Sequence, residues 1–192
     1  MKPLILASGS PRRLQLLQML GIPCRVVVPN ADETRKVSEE PEAYVVRLAR
    51  AKAGAVAARE PTELVLGADT SVVVRGELLG KPTSPEEAAA MLGKLAGRTH
   101  HVMTAVALAS GDRMEHALDV TDVTFRQMDR TTIEGYVTTG EPMDKAGAYA
   151  VQGRGAALIE AIRGDFYSVM GLPLRLVLDL LERFGHPYRF TR

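Results

Sequence analysis

Ser8-Gly9-Ser10-Pro11-Arg12-Arg13 gathers two hydroxyls, a glycine and two guanidinium groups into six residues. The apolar run Leu4 to Ala7 precedes it, and Leu14, Leu16, Leu17 and Leu20 follow at roughly helical spacing. The motif therefore falls at a strand-to-helix junction. A helix N-terminus there offers unpaired N–H groups and partial positive charge, both of which attract phosphate. Ser8 and Ser10 add hydroxyl donors, Gly9 lets the backbone come close, and Arg12 and Arg13 can fork onto phosphate oxygens. The same residues also describe a surface helix with Ser10 as N-cap, Pro11 at its first position and two solvated arginines. From these residues alone the two readings stand level.

Asp69 is the second candidate. It lies inside LVLGADTSVVV, where a carboxylate is costly to bury unless it is paired or metal-bound. Gly67 and Ala68 beside it are small and leave room for a ligand. A turn-forming aspartate that bonds its local backbone is the plainer alternative, but the apolar flanks favour function. Asp32-Glu33, after a second predicted strand, gains meaning only if it pairs with Asp69. Two carboxylates from separate segments suit Mg²⁺, which prefers oxygen ligands and keeps several waters.

Lysine is scarce, with six among 24 basic residues. Lys52 sits in RLARAKAGA, Lys81 in LLGKP and Lys145 in MDKAGAY. Each ammonium could meet a phosphate or a leaving-group charge, although a snorkelling surface lysine is the commoner case for any one of them. His100-His101 does not make a metal pair, because adjacent strand residues point to opposite faces. The chain also lacks a G-x-x-x-x-G-K-[ST] loop, a G-x-G-x-x-G fingerprint and a G-x-S-x-G elbow.

The elements that must hold these residues follow from pattern and punctuation. Strands are expected at Leu4 to Ala7, Cys24 to Val28, Glu63 to Ala68, Ser71 to Val74 and Ala157 to Ile162. A turn at Arg75-Gly76-Glu77 leads into Leu78-Leu79. A long hairpin pairs Thr99 to Ala109 with Met114 to Phe125. Helices are expected at Pro11 to Leu20, Pro41 to Arg59, Ser84 to Leu95, Thr131 to Thr138 and Pro173 to Phe184. This mixture predicts an α/β fold with a mixed sheet flanked by helices, arranged as two lobes around a cleft. The hairpin argues against a purely parallel, doubly wound sheet.

Composition narrows the function classes. Apolar residues make up 46% and charged residues 24%, an ordinary globular balance. The net charge of +1 and an aromatic share of 5% argue against a nucleic-acid-binding module or an anionic-membrane partner. The only cysteine, Cys24, cannot form an internal disulfide, which fits a cytoplasmic location. The apolar stretch near the start is too short for a signal peptide or a membrane span.

In chain order, LILASGSPRRLQLL, DET, YVVRLARAKA, LGADTSVVV, LGKP, LAGRTHHVMT, TTGEPMDKAGAYAVQGRGA and GDFYSVMGLPL together resemble the Maf family of nucleotide pyrophosphatases. The likeness runs from residue 4 to about residue 176 and treats residues 1–192 as a single domain. It implies an elongated, inosine triphosphate pyrophosphatase-like fold. It also implies metal-dependent hydrolysis of a nucleoside triphosphate to the monophosphate and pyrophosphate. By motif matching, Asp69 would activate water. Lys52, Lys81 and Arg13 would bind phosphate and stabilise charge, with Ser8 and Ser10 assisting. Glu33 and Asp69 would hold a divalent cation, Mg²⁺, Mn²⁺ or Co²⁺. Arg12, Thr70 and Gln152 match the branch acting on dTTP and UTP rather than the 7-methyl-GTP branch. Ser168 departs from the asparagine of many members. The family is compatible with a homodimer. Its association with septum formation makes a nucleotide-binding regulator one alternative, and a pyrophosphatase of the 7-methyl-GTP type is the other.

Overall fold

Four apolar residues in a row, Leu4–Ala7, form β1 and are buried on both faces, as suits an interior strand with parallel neighbours. The computed structural model describes residues 3–190. In it β1 pairs in parallel with β2 (Cys24–Val26) on one side and β3 (Leu64–Val74) on the other. The remaining strands are β4 (Glu77–Leu79), β5 (Thr99–Ser110), β6 (Arg113–Phe125) and β7 (Ile159–Arg163). Among the described residues they form one seven-stranded sheet in the order β2-β1-β3-β5-β6-β7, with β4 paired to β3. β3–β4 and β6–β7 are antiparallel, so the sheet is mixed, as the predicted hairpin required.

The helices are α1 (Pro11–Met19), α2 (Pro41–Ala57), α3 (Pro85–Leu95), α4 (Arg130–Val137), α5 (Phe166–Val169) and α6 (Leu174–Arg183). α1, α2 and α3 all begin at proline, whose fixed φ suits the first helical position and whose missing N–H is not needed there. α1 stops at Gly21, which adopts φ 66°. The Gly21 amide then donates to the Gln18 carbonyl and the Ile22 amide to that of Leu17, closing the last turn through a left-handed residue.

Two expectations around Asp69 need correction. Glu63 to Ala68 and Ser71 to Val74 are not separate runs, because β3 continues unbroken through Asp69. The carboxylate does not end the strand, since its charge is met by a side chain from α2. The following turn is also tighter than expected. Arg75 and Gly76 alone form it, both at positive φ (51° and 77°), and Glu77 already pairs with Val74. A two-residue turn of this hand matches the twist of its strands.

The chain divides into two compact units. The first combines residues 1–69, 104–119 and 171–192, and the second combines 70–103 and 120–170. In the first, β1, Leu48, Val45 and Val56 of α2, and Leu174, Val177, Leu180 and Leu181 of α6 are buried. In the second, Val72, Leu79, Leu92, Leu95, Phe125 and Tyr149 belong to one apolar cluster. No helix of the described residues is long and apolar enough to cross a membrane.

Candidate active site

Within the first unit, strand register brings the chemistry together. Ala7 is the register partner of Gly67, so the end of β1 and the following Ser8 lie beside Gly67-Ala68-Asp69. Arg13, on the first turn of α1, turns inward and is buried. Its Nη1 donates to the Ala68 carbonyl at 2.9 Å and to Ser8 Oγ at 3.2 Å. Its Nε donates to the Gly171 carbonyl at 2.8 Å. Ser8 Oγ also accepts from the Ser10 amide at 3.1 Å. Ser10 precedes α1 as expected but makes no side-chain cap there.

The expected role of Arg13 thus changes emphasis. Its Nη1 stitches the serine loop to β3 just before Asp69, and its Nε anchors on Gly171, rather than both pointing outward as a surface fork. Burial pushes the guanidinium down from its ordinary value, while Asp69 and Glu33 oppose that shift and Arg12 adds to it. Arginine still keeps its proton under such conditions. Arg12 itself is half-buried.

α2 supplies the cation. Val45, Leu48, Ala49, Lys52, Ala53 and Val56 are its buried face, at spacings of three and four residues. Lys52 occupies a position on the apolar stripe and is only 8% exposed. Its Nζ lies 2.7 Å from Asp69 Oδ1 and 2.7 Å from Glu33 Oε1. Asp69 is 7% exposed. Burial raises its pKa, and the attraction of Lys52 and Arg13 does not fully offset the rise. A carboxylate so placed is more basic than usual, the property a general base needs.

The same helix shapes the acidic segment. Tyr44 donates from its hydroxyl to the Glu33 carbonyl at 3.0 Å, and Arg47 donates to the Thr34 carbonyl at 3.0 Å. Arg47 also forks onto both Glu39 carboxylate oxygens, at 2.6 and 2.8 Å. Asp32 turns back and accepts from the Thr34 amide at 2.9 Å. Of the acidic pair, then, it is Glu33 that reaches Lys52. Tyr44 and Arg47 were not among the expected site residues, although their spacing of three already places them on one side of a helix.

Glu33 and Asp69 fit a divalent cation in kind. Both present oxygen, and both converge on the Lys52 ammonium. Among the described residues, no group of three or more His, Cys, Asp or Glu is placed to hold a metal ion by itself. Two carboxylates would leave the remaining positions to substrate oxygens and water, a common pattern for Mg²⁺.

The second unit holds the other candidates. Thr70 follows Asp69 in β3 and is half-buried, while Lys81 is exposed just beyond β4. Gln152 is exposed in the segment between Tyr149 and a 3-10 turn at Arg154–Leu158. The Lys145 ammonium pairs with the neighbouring Asp144. His100 is buried against Tyr149 and His101 is exposed beside Asp122, so the two rings do face opposite ways. Ser168 is buried in α5, with its amide donating to Asp165 Oδ1. Glu141, whose carboxylate organises the Gln152 segment, was also missed. Two of its three partners are backbone amides, which leave no mark in a sequence.

Known proteins resemble this chain along nearly its whole length. The family model described as Maf-like protein matches residues 3–184. A dTTP/UTP pyrophosphatase of Symbiobacterium thermophilum is 54% identical over 97% of this chain and 96% of its own. One from Salmonella typhimurium is 52% identical over 96% of this chain and 94% of its own. Among solved structures, the Staphylococcus aureus Ham1 protein shares the fold, with a TM-score of 0.54 at 14% identity over 96% of this chain and 98% of that one. With a matched model over nearly its full length and relatives identical at half their positions, the chain belongs to the Maf family.

Proposed function

We propose that this chain hydrolyses nucleoside triphosphates to the monophosphate and pyrophosphate, with dTTP and UTP as preferred substrates. One observation carries the reading: the Lys52 ammonium is shared by buried Asp69 and by Glu33, beside the serine-arginine loop of the same unit. Relatives half-identical over nearly the whole chain are named dTTP/UTP pyrophosphatases, which supports the same reaction and the same bases.

In this reaction Asp69 takes a proton from a water molecule whose oxygen attacks the α-phosphorus. The bond from that phosphorus to the oxygen bridging to the β-phosphate breaks, and pyrophosphate leaves with the bonding pair. Lys52 favours the ionised form of Asp69 against the effect of burial and offsets the charge of Glu33. Arg13 holds Ser8 and the backbone before Asp69 in register, so the base does not need to be repositioned during the reaction. Ser8, Ser10 and Arg12 supply donors to phosphate, and Lys81 meets the charge growing on the leaving group. Thr70 and Gln152 offer the donors and acceptors a uracil or thymine edge requires. A divalent cation held by Glu33 and Asp69 would neutralise phosphate charge and polarise the phosphoryl oxygens.

The reading extends to a single functional domain, a cytoplasmic location consistent with one unpaired cysteine, and a homodimer, with which the family is compatible. The test is pyrophosphate release from dTTP, UTP, CTP, 7-methyl-GTP and ITP, with Mg²⁺ or Mn²⁺ and with chelator. Metal-dependent turnover favouring dTTP and UTP is the expected result. Preference for another nucleotide would remove the specificity roles of Arg12, Thr70 and Gln152. Binding without turnover, by folded protein, would leave a nucleotide-binding regulator.

A further inference from the structure

Gln152 sits at the middle of a loop that is clamped at both ends. Glu141 Oε1 accepts from the Gly155 amide at 3.0 Å and Oε2 from the Arg154 amide at 3.0 Å. Oε1 also accepts from the Tyr136 hydroxyl at 3.0 Å. That hydroxyl in turn accepts from the Ala150 amide at 3.2 Å. Two side chains, Glu141 and Tyr136, thereby tie residue 150 to residues 154 and 155, and the exposed tip between them carries Gln152.

The clamp is built closely. Gly153 adopts φ 85°, and a Cβ there would lie 2.9 Å from Glu141 Oε2. A Cβ on Gly155 would lie 2.3 Å from the Ala150 carbonyl oxygen and 2.6 Å from the Tyr136 hydroxyl. Both glycines are therefore required for the loop to close on its anion. Glu141 is itself set in place, its amide donating to Thr139 Oγ1 at 3.2 Å and Thr139 Oγ1 donating to the Tyr136 carbonyl at 2.7 Å. Burial would push the Glu141 carboxyl up. The amides of Gly155 and Arg154, the Tyr136 hydroxyl and Lys145 outweigh that and keep it below its ordinary range. The glycine-rich stretch AVQGRGA has thus already engaged its Arg154 and Gly155 amides with an internal carboxylate. It is not a phosphate cradle.

We infer that Glu141, acting with Tyr136, is a positioning residue for base selection: it templates the 150–155 loop so that Gln152 meets the pyrimidine edge at a fixed place. The inference rests on the base-contacting role proposed above for Gln152. A hydrogen-bonded base pocket discriminates only if its donors and acceptors are held, because a mobile amide can satisfy a wrong edge nearly as well as the right one. Glutamine at position 141 would turn an NH₂ group toward one of the donors and lose at least one of the three bonds.

The test uses the full chain carrying Glu141→Gln, with Tyr136→Phe as a second variant should the first not fold. Amide hydrogen exchange is followed at residues 150–155, and kcat and KM are measured for dTTP, UTP and CTP. The expected result is exchange about tenfold or more faster at Arg154 and Gly155. KM for dTTP should rise about tenfold with a smaller change in kcat, and the preference over CTP should shrink. Gln152→Ala, alone and combined with Glu141→Gln, separates this inference from the reading beneath it. If Glu141 works through Gln152, the double variant is no less selective than Gln152→Ala alone. A folded Glu141→Gln protein with unchanged exchange or unchanged selectivity would overturn the role of Glu141 while leaving that of Gln152 intact. A uniform fall in kcat for every nucleotide would overturn it too. If Gln152→Ala leaves selectivity untouched, the base-contacting role fails, and with it the inference.

Discussion

Gly67 meets Ala49 with no room for a methyl group: a Cβ on Gly67 would lie 2.4 Å from the Ala49 carbonyl oxygen and 2.6 Å from the Ala53 amide nitrogen. The obstructing atoms are helix backbone and cannot rotate away. The backbone of α2 therefore rests directly on β3, two residues before Asp69 and within one turn of Lys52. This close approach is what lets a lysine on α2 reach the Asp69 carboxylate at 2.7 Å.

Gly67→Ala should force α2 away from the strand. Overpacking of this kind costs about 1–3 kcal/mol, so the midpoint of urea unfolding should fall. Pyrophosphate release should fall further than stability accounts for, because the Lys52–Asp69 contact is lengthened even in the folded fraction. Wild-type activity per folded molecule would show that the close approach is only a packing feature.

Lys52→Met keeps the apolar stem on the buried face of α2 and removes the ammonium between Asp69 and Glu33. The loss in kcat/KM should be about 10²–10³-fold, the scale seen when one charge-stabilising donor is removed. Steady-state kinetics on protein with unchanged circular dichroism checks it.

Arg13→Lys retains a positive charge but cannot reproduce the planar fork that reaches Ser8, Ala68 and Gly171 together. Losing two or three buried bonds should destabilise the protein by about 2–4 kcal/mol, measurable by denaturant titration, and should lower activity as well. Full stability in the variant would mean that the arginine serves phosphate directly rather than the loop.

His100 gives the fold an acid limit. It is 1% exposed, with Nε2 2.8 Å from the Tyr149 hydroxyl and its ring edge-on to Phe125. Burial, with a smaller contribution from His101, lowers its pKa from 6.5 to about 4. The unfolded chain binds a proton near pH 6.5 and the folded one does not, so stability is full above that pH and declines as pH falls toward 4. The linked loss amounts to about 2–3 kcal/mol. Thermal or urea unfolding between pH 7 and pH 4.5 measures it, and His100→Asn should flatten that slope.

Much of this was legible because local pattern and tertiary role coincide. The proline starts of α1, α2 and α3, the Gly21 stop and the Ser110-Gly111 hairpin all carry their signal in a few adjacent residues. Asp69 could be picked out because a carboxylate among valines and leucines needs a partner. The same carboxylate misled the strand assignment, since Asp69-Thr70 looks like an interruption until Lys52 is known to neutralise it. What escaped notice depends on backbone partners. Arg13 is spent partly on the carbonyls of Ala68 and Gly171, 158 residues away in the second case. Glu141 is spent on two amides. A carbonyl or an amide is present at almost every residue, so no residue type announces it.

The most direct test of the central claim is turnover by Asp69→Asn with dTTP and UTP in the presence of Mg²⁺ or Mn²⁺. The substitution preserves shape and removes the proton acceptor. The account predicts a fall of about 10²–10⁴-fold in kcat with unchanged circular dichroism and retained nucleotide binding. Near-wild-type kcat from the folded variant would contradict it and remove Asp69 from the role of base.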